Sequence, residues 1–160
     1  FKSFRRKELL LREGEVCRQI FFIVKGYVRL YYLIDGVETT KDFNFESDIC
    51  GSYVSFKMQL PSRFSIVAME DLDVYLIDRE NLFELFDKYP ALQKFARLSI
   101  EKMFIRKEMR ESSFLIDDAE TRYNNLYSER PQIMERVPLK YIASYLGVTA
   151  ETVSRIRRKV

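Results

Sequence analysis

The tightest constraint in this sequence lies at its C-terminal end, from Leu139 to Val160. Leu139, Ile142, Ala143 and Leu146 fall at i, i+3, i+4 and i+7, one face of a helix. Gly147 follows, where the chain must turn and a positive φ is cheap. Val148 plugs that turn, and Thr149 is placed to cap a second helix by accepting a backbone N–H. Val153, Ile156 and Val160 supply the second helix with an inner face, and the small Ala143 lets the two axes approach closely. These positions agree on a helix-turn-helix.

The outer face of the second helix carries Glu151, Ser154, Arg155 and Arg158, again at i, i+3, i+4 and i+7. Arginine offers a bidentate fork to guanine O6 and N7, glutamate accepts from cytosine N4, and serine pairs with either kind of base. Ala150 can touch a thymine methyl, whereas Arg157 and Lys159 flank the row, where phosphate contact is expected. The blander reading is a solvated stripe with Glu151–Arg155 as an ordinary i,i+4 ion pair. Such a pair is worth only about 0.3–0.5 kcal/mol and does not explain the arrangement.

Charge supports an anionic partner. Residues 1–136 hold 22 Lys and Arg against 23 Asp and Glu, whereas residues 137–160 hold five against one. There is no histidine, which excludes His-based acid–base chemistry and most zinc sites. Cys17 and Cys50 form no CxxC pair, so no metal site is expected. No nucleophile–base pair and no phosphate-cradling glycine loop is recognisable, and an enzyme is not expected. The chain has no membrane-length apolar run, so no membrane partner is expected, and its cysteine usage suggests a reducing cytoplasm.

From Lys7 to about Asp78 the chain reads as strands. Phe21–Val24 and Tyr27–Ile34 are aromatic and β-branched, and Asp35-Gly36 predicts a hairpin leading into Val37–Phe43. Arg63–Glu70 and Leu72–Asp78 read as two more strands, and the whole as an antiparallel barrel or sandwich. Arg79–Asp87 then predicts a short helix. Pro90 to about Ile116 holds no glycine and no further proline and predicts a helix of about 39 Å. Its apolar residues form two stripes. One is Leu92, Ala96, Ile100, Met103 and Phe104; the other is Phe95, Leu98, Ile105, Met109, Ser112 and Ile116, interrupted by Lys102. Two stripes suggest two partners, the barrel and a second subunit, with the second stripe as the homodimer interface. Asp117-Asp118 caps a helix over Ala119–Glu129, residues 132–136 make a helical turn, and Pro138 opens the last two helices.

This order of parts resembles the Crp/Fnr family of bacterial transcription regulators, over essentially the whole chain. The similar segments are Phe22-Ile23-Val24-Lys25-Gly26-Tyr27-Val28, Asp48-Ile49-Cys50-Gly51, Tyr89-Pro90, and Gly147-Val148-Thr149-Ala150-Glu151-Thr152-Val153-Ser154-Arg155. The resemblance implies an α+β fold in three segments. Residues 1–89 would form a cyclic-nucleotide-binding-type jelly roll (a double-stranded β-helix), 90–117 a dimerisation helix, and 118–160 a helix-turn-helix domain with its wing absent or truncated. The start at Phe1, without the family's usual first helix, reads as a trimmed N-terminus.

The function implied is a homodimeric regulator on palindromic double-stranded DNA, with Thr149, Ala150, Glu151, Ser154, Arg155, Arg157, Arg158 and Lys159 at the DNA. Glu-x-x-Ser-Arg at 151–155 is more similar to the Fnr branch, implying half-sites like TTGA; Crp-type members have Arg where this chain has Ala150. RNA polymerase and a small-molecule effector are further candidate partners. The effector pocket would involve Gly51, Ser52, Tyr53, Ser62 and Arg63. Cyclic-AMP-binding members follow the pocket glycine with Glu and have Arg-Ser about ten residues later. Here Ser52 follows Gly51, and Ser62-Arg63 reverses the pair, so that Arg63 is expected on the outer face. The purine-holding polar pair falls on Lys107-Glu108, and the Fnr iron–sulfur cysteines are absent from the chain. Cyclic AMP is therefore not expected, no cofactor is predicted, and Tyr53, Phe56 and Phe64 are expected to fill part of the pocket. The competing reading is a ligand- or partner-binding roll with a vestigial DNA-binding tail.

Overall fold

The computed structural model describes residues 1–158; Lys159 and Val160, expected on the basic and inner faces of the last helix, lie outside the described residues. Eight strands among them build two antiparallel sheets. The first has the order β1 (Lys2–Phe4), β8 (Leu72–Asp78), β3 (Gln19–Lys25), β6 (Ile49–Cys50). The second has the order β2 (Leu9–Leu11), β7 (Ser65–Ala68), β4 (Val28–Ile34), β5 (Val37–Asn44). Alternate residues face inward: Phe21 and Ile23 from β3, Val28 and Leu30 from β4, Ile66 and Ala68 from β7, Leu72 and Val74 from β8. The register joins these inward residues across strands, with Ile23 opposite Val74 and Leu30 opposite Ile66. This is the expected jelly roll. The Asp35-Gly36 hairpin forms, with φ of 49° and 78° at its two corners.

Two local differences from the sequence expectations have physical causes. The strand expected over Arg63–Glu70 is shorter, because the Ser62 hydroxyl closes a turn on Phe64 before β7 begins. A short helix, α1 (Tyr53–Met58), occupies a stretch whose Tyr, Val and Phe favour strands; burial of Phe56 and Ser55 overrides that preference.

The helices follow as α2 (Arg79–Lys88), α3 (Pro90–Ile116), α4 (Ala119–Glu129), α5 (Pro131–Arg136), α6 (Leu139–Leu146) and α7 (Ala150–Arg157). Pro90 starts α3, and Asp118 caps α4 by accepting from the Thr121 N–H at 2.8 Å. The chain forms two compact units that divide within α3, Phe1–Ile100 and the residues from Glu101 onward. The helix read as a segment of its own thus contributes to both units. The second unit has its own small core of Tyr123, Leu126, Ile133, Ile142, Leu146, Val153 and Ile156.

Candidate functional site

The helix-turn-helix is built from the bottom up by three local devices. The first is the end of α6, where Gly147 sits at φ 68°. Its N–H donates to the Ser144 carbonyl at 3.3 Å, and the Val148 N–H reaches back to the Ala143 carbonyl at 3.0 Å. That is the Schellman pattern, which satisfies carbonyls left open at a helix end. The second device is the Thr149 cap, whose hydroxyl accepts the Thr152 N–H at 3.2 Å. The third is the seam between the helices: Ile142, Ala143, Leu146, Val153 and Ile156 are buried, while Leu139 and Val148 are half-buried at its edge.

With that face inside, α7 turns Glu151, Arg155 and Arg157 to solvent, followed by the exposed Arg158, and leaves Ala150 and Ser154 half-buried. The side chains of Arg155, Arg157 and Arg158 make no hydrogen bond or ion pair among the described residues. Glu151 does not pair with Arg155. Its carboxylate accepts its own backbone N–H and then the Thr149 hydroxyl, which hold it below the usual carboxylate range. The Thr149 hydroxyl is therefore committed within the cap, whereas the Arg155 fork is unengaged.

The residues expected around an effector are distributed differently. Ser52 and Ser62 are buried, Gly51 is half-buried, and Tyr53 and Arg63 are exposed. Every polar group of Ser62 is used locally: its hydroxyl donates to the Phe64 carbonyl at 2.7 Å, its N–H to the Glu15 carbonyl, and its own carbonyl accepts from Gly14. Arg63 is exposed as expected, but not through strand register: it lies in the turn that Ser62 closes before β7. Phe56 and Phe64 fill the roll interior as expected, but Tyr53 does not; it stands at the exposed start of α1. Cys17 and Cys50 are buried free thiols, and burial raises both above their usual range, so neither has thiolate character.

Sequence reasoning passed over Arg29. Only 2% exposed, it donates to Thr40 Oγ1 at 3.3 Å, pairs with the Glu38 carboxylate and lies 4.4 Å over the Tyr31 ring. An arginine inside an otherwise apolar strand was the available signal. Its burial is tolerated because the charge is paired.

On α3 none of the side chains is buried. Leu98, Ile105, Met109 and Ile116 of the second stripe are exposed, Ile116 by 80%, with Lys102 and Ser112 beside them. Phe95 is also exposed, yet it packs edge-on against Phe22 of the roll, with ring centroids 6.3 Å apart. The first stripe is covered only in part: Leu92, Ala96 and Met103 are half-buried, but Ile100 and Phe104 are exposed.

An antiparallel β-roll, a long helix with exposed apolar residues and a helix-turn-helix thus occur in one chain. The cyclic nucleotide-binding domain pattern matches residues 1–89, and the chain belongs to that family. Solved structures extend the likeness beyond the roll. A CooA mutant from Carboxydothermus hydrogenoformans is 21% identical with a TM-score of 0.80, over 99% of this chain and 74% of its own. FixK2 from Bradyrhizobium japonicum is 21% identical with a TM-score of 0.82, over 99% and 82%. A CRP-family transcriptional regulator from Thermus thermophilus is 19% identical with a TM-score of 0.76, over 99% and 83%. No curated protein matches the chain in sequence. Family and fold agree with the Crp/Fnr resemblance read from the motifs.

Proposed function

We propose that this chain is a sequence-specific DNA-binding transcription regulator that acts as a homodimer on a palindromic site. The observation that carries the reading is α7. Its inner face is locked into the helix-turn-helix seam, while Arg155, Arg157 and Arg158 stand exposed, with no ion pair among the described residues. Arg155 reads guanine with its free fork, and Glu151 accepts from a cytosine amino group. Arg157, which flanks that row, contacts phosphates, and Arg158 continues the row of Glu151 and Arg155. Dimerisation through Leu98, Ile105, Met109 and Ile116 buries the apolar residues that α3 leaves exposed. It also sets two recognition helices about 34 Å apart for successive major grooves.

The roll is the sensor-type part. Ser62 has no free polar group and Arg63 faces outward, which supports a chain that does not hold a cyclic AMP phosphate. The test of the main reading is a binding series on a palindrome, its single-base variants and unrelated duplex, each at several salt concentrations. Arg155→Ala is expected to cost about 1–3 kcal/mol on the specific site and to flatten preference at one base pair. Arg157→Ala is expected to weaken all duplexes alike and to reduce the salt slope. Wild-type binding that is absent or independent of salt would favour the vestigial-tail reading instead.

A further inference from the structure

One contact cluster in the second unit is used neither by the DNA-facing row nor by the seam. Phe114, near the end of α3, has the guanidinium of Arg110 at 4.7 Å on its ring and that of Arg122, from α4, at 5.1 Å. Arg110 also lies 4.4 Å over the Tyr145 ring. Both arginines then continue to the end of α6. Arg110 donates to the Tyr145 carbonyl at 2.9 Å, and Arg122 Nε to the Leu146 carbonyl at 3.2 Å. These are last-turn carbonyls without helical partners, at the negative end of the helix dipole, where cations are favoured. A second Arg122 nitrogen donates to the Asp117 carbonyl at 2.7 Å, which ties the α3–α4 junction to the same cation.

The aromatic ring completes the contact at Gly147. A Cβ built on Gly147 would lie 2.8 Å from Phe114 Cε1, so the ring occupies the space that any side chain would need. Gly147 is thus required twice, by its left-handed φ of 68° and by the ring against it. Both requirements fall on the residue that sets the angle between α6 and α7.

We infer that Phe114, Arg110 and Arg122 form a clamp that fixes the helix-turn-helix turn to the end of the long helix, so that the two move as one body. The three are positioning residues and touch no DNA. The consequence for DNA rests on the function proposed above. If α3 is the dimer element, the clamp converts its rotation or sliding into a change in the spacing of two recognition helices.

Hydrogen exchange on the full chain tests the clamp without DNA. Phe114→Ala is expected to speed exchange of the Gly147 and Val148 amides about tenfold, with the Val153 amide unchanged. Phe114→Tyr, which keeps the ring, is expected to restore the wild-type rates. Equal acceleration at Val153 would mean that the domain simply opens, and no acceleration at Gly147 would mean that the ring holds nothing; either overturns the clamp.

The DNA arm uses a palindrome selected in vitro against the wild-type protein, and the same duplex with one half scrambled. Phe114→Ala is expected to lose about tenfold on the palindrome and less than about twofold on the single half-site, because only simultaneous engagement depends on spacing. Equal losses on both duplexes would overturn the positioning role. If the wild-type protein selects no duplex at all, the DNA reading falls and the exchange rates alone decide the clamp.

Discussion

Substituting alanine at Gly26 and at Gly36 separates two costs that a turn glycine can carry. Both residues have a left-handed backbone, φ 84° and 78°. Alanine at either site meets the left-handed penalty of about 1–2 kcal/mol. At Gly36 that is the whole effect, because no atom lies within 4 Å of the added Cβ. At Gly26 the Cβ would lie 2.7 Å from the Asp71 carbonyl oxygen and 3.3 Å from Leu72 Cα. An ordinary carbon–oxygen contact is about 3.3–3.6 Å, so the overlap exceeds half an ångström. The Asp71 backbone is not free to withdraw. Leu72 beside it is 1% exposed and begins β8, and the Asp71 carboxylate accepts the Arg6 N–H at 3.0 Å. Forced overpacking of this kind adds about 1–3 kcal/mol. Gly26→Ala should therefore cost roughly 2–5 kcal/mol and Gly36→Ala roughly 1–2. For a unit of this size each kcal/mol lowers the melting temperature by about 4–8 °C. The chain has no tryptophan, so urea unfolding followed by tyrosine fluorescence and far-UV circular dichroism is the assay. The two variants should share the wild-type denaturant slope and differ in midpoint. Equal midpoints for Gly26→Ala and Gly36→Ala would refute the clash argument and leave only the strain.

Three further outcomes are expected. Met109→Glu puts a charge in the exposed α3 stripe and should give monomers in sedimentation velocity; an unchanged dimer would mean that another face of α3 pairs. Cyclic AMP at about 1 mM should leave the melting of the roll unchanged, whereas a ligand present at a thousand times its Kd would add about 4 kcal/mol, a shift of many degrees. The acid response follows from Asp118, held below the usual carboxylate range chiefly by the Thr121 backbone N–H and then by the Thr121 hydroxyl. A carboxylate lower in the folded than in the unfolded chain stabilises above its unfolded value, and that contribution is lost as pH falls through the folded one. Asp118→Asn should thus flatten the loss of stability between about pH 5 and pH 2, and a slope as steep as in the wild type would contradict the cap's contribution.

How much was legible in the sequence depended on how local the physics is. The α6–α7 turn was readable because Gly147, Thr149 and the seam residues act within a few positions of one another. The bounds of α3 were readable because proline starts a helix and Asp117-Asp118 offers a cap for the next. Helix α1 was not, because the gain that overrides its strand-prone residues is burial of Phe56 among strands distant in sequence. Tyr53 was misplaced for the same reason. It stands at the exposed first position of a helix, whereas Phe56, almost one turn on, is turned to the interior. Phe114 stayed invisible in both stripes of α3, since its contacts come from Arg122 and Gly147 in other elements.

The effector region and the recognition helix contrast in where their polar groups are directed. In the roll, Ser62 uses its hydroxyl, N–H and carbonyl within neighbouring turns, and Arg29 is neutralised by Glu38. A ligand there would have to displace existing protein hydrogen bonds, each replaced at little net gain. On α7 the blander reading of the sequence was an internal Glu151–Arg155 pair, which DNA would have had to break. The structure satisfies the Glu151 carboxylate from the cap instead, through its own N–H and Thr149. Arg155 makes no hydrogen bond or ion pair among the described residues, so binding would cost it only rotamer freedom and hydration. The Thr149 hydroxyl fixes the start of the helix by accepting the Thr152 N–H at 3.2 Å, while Arg155, further along the helix, stays exposed.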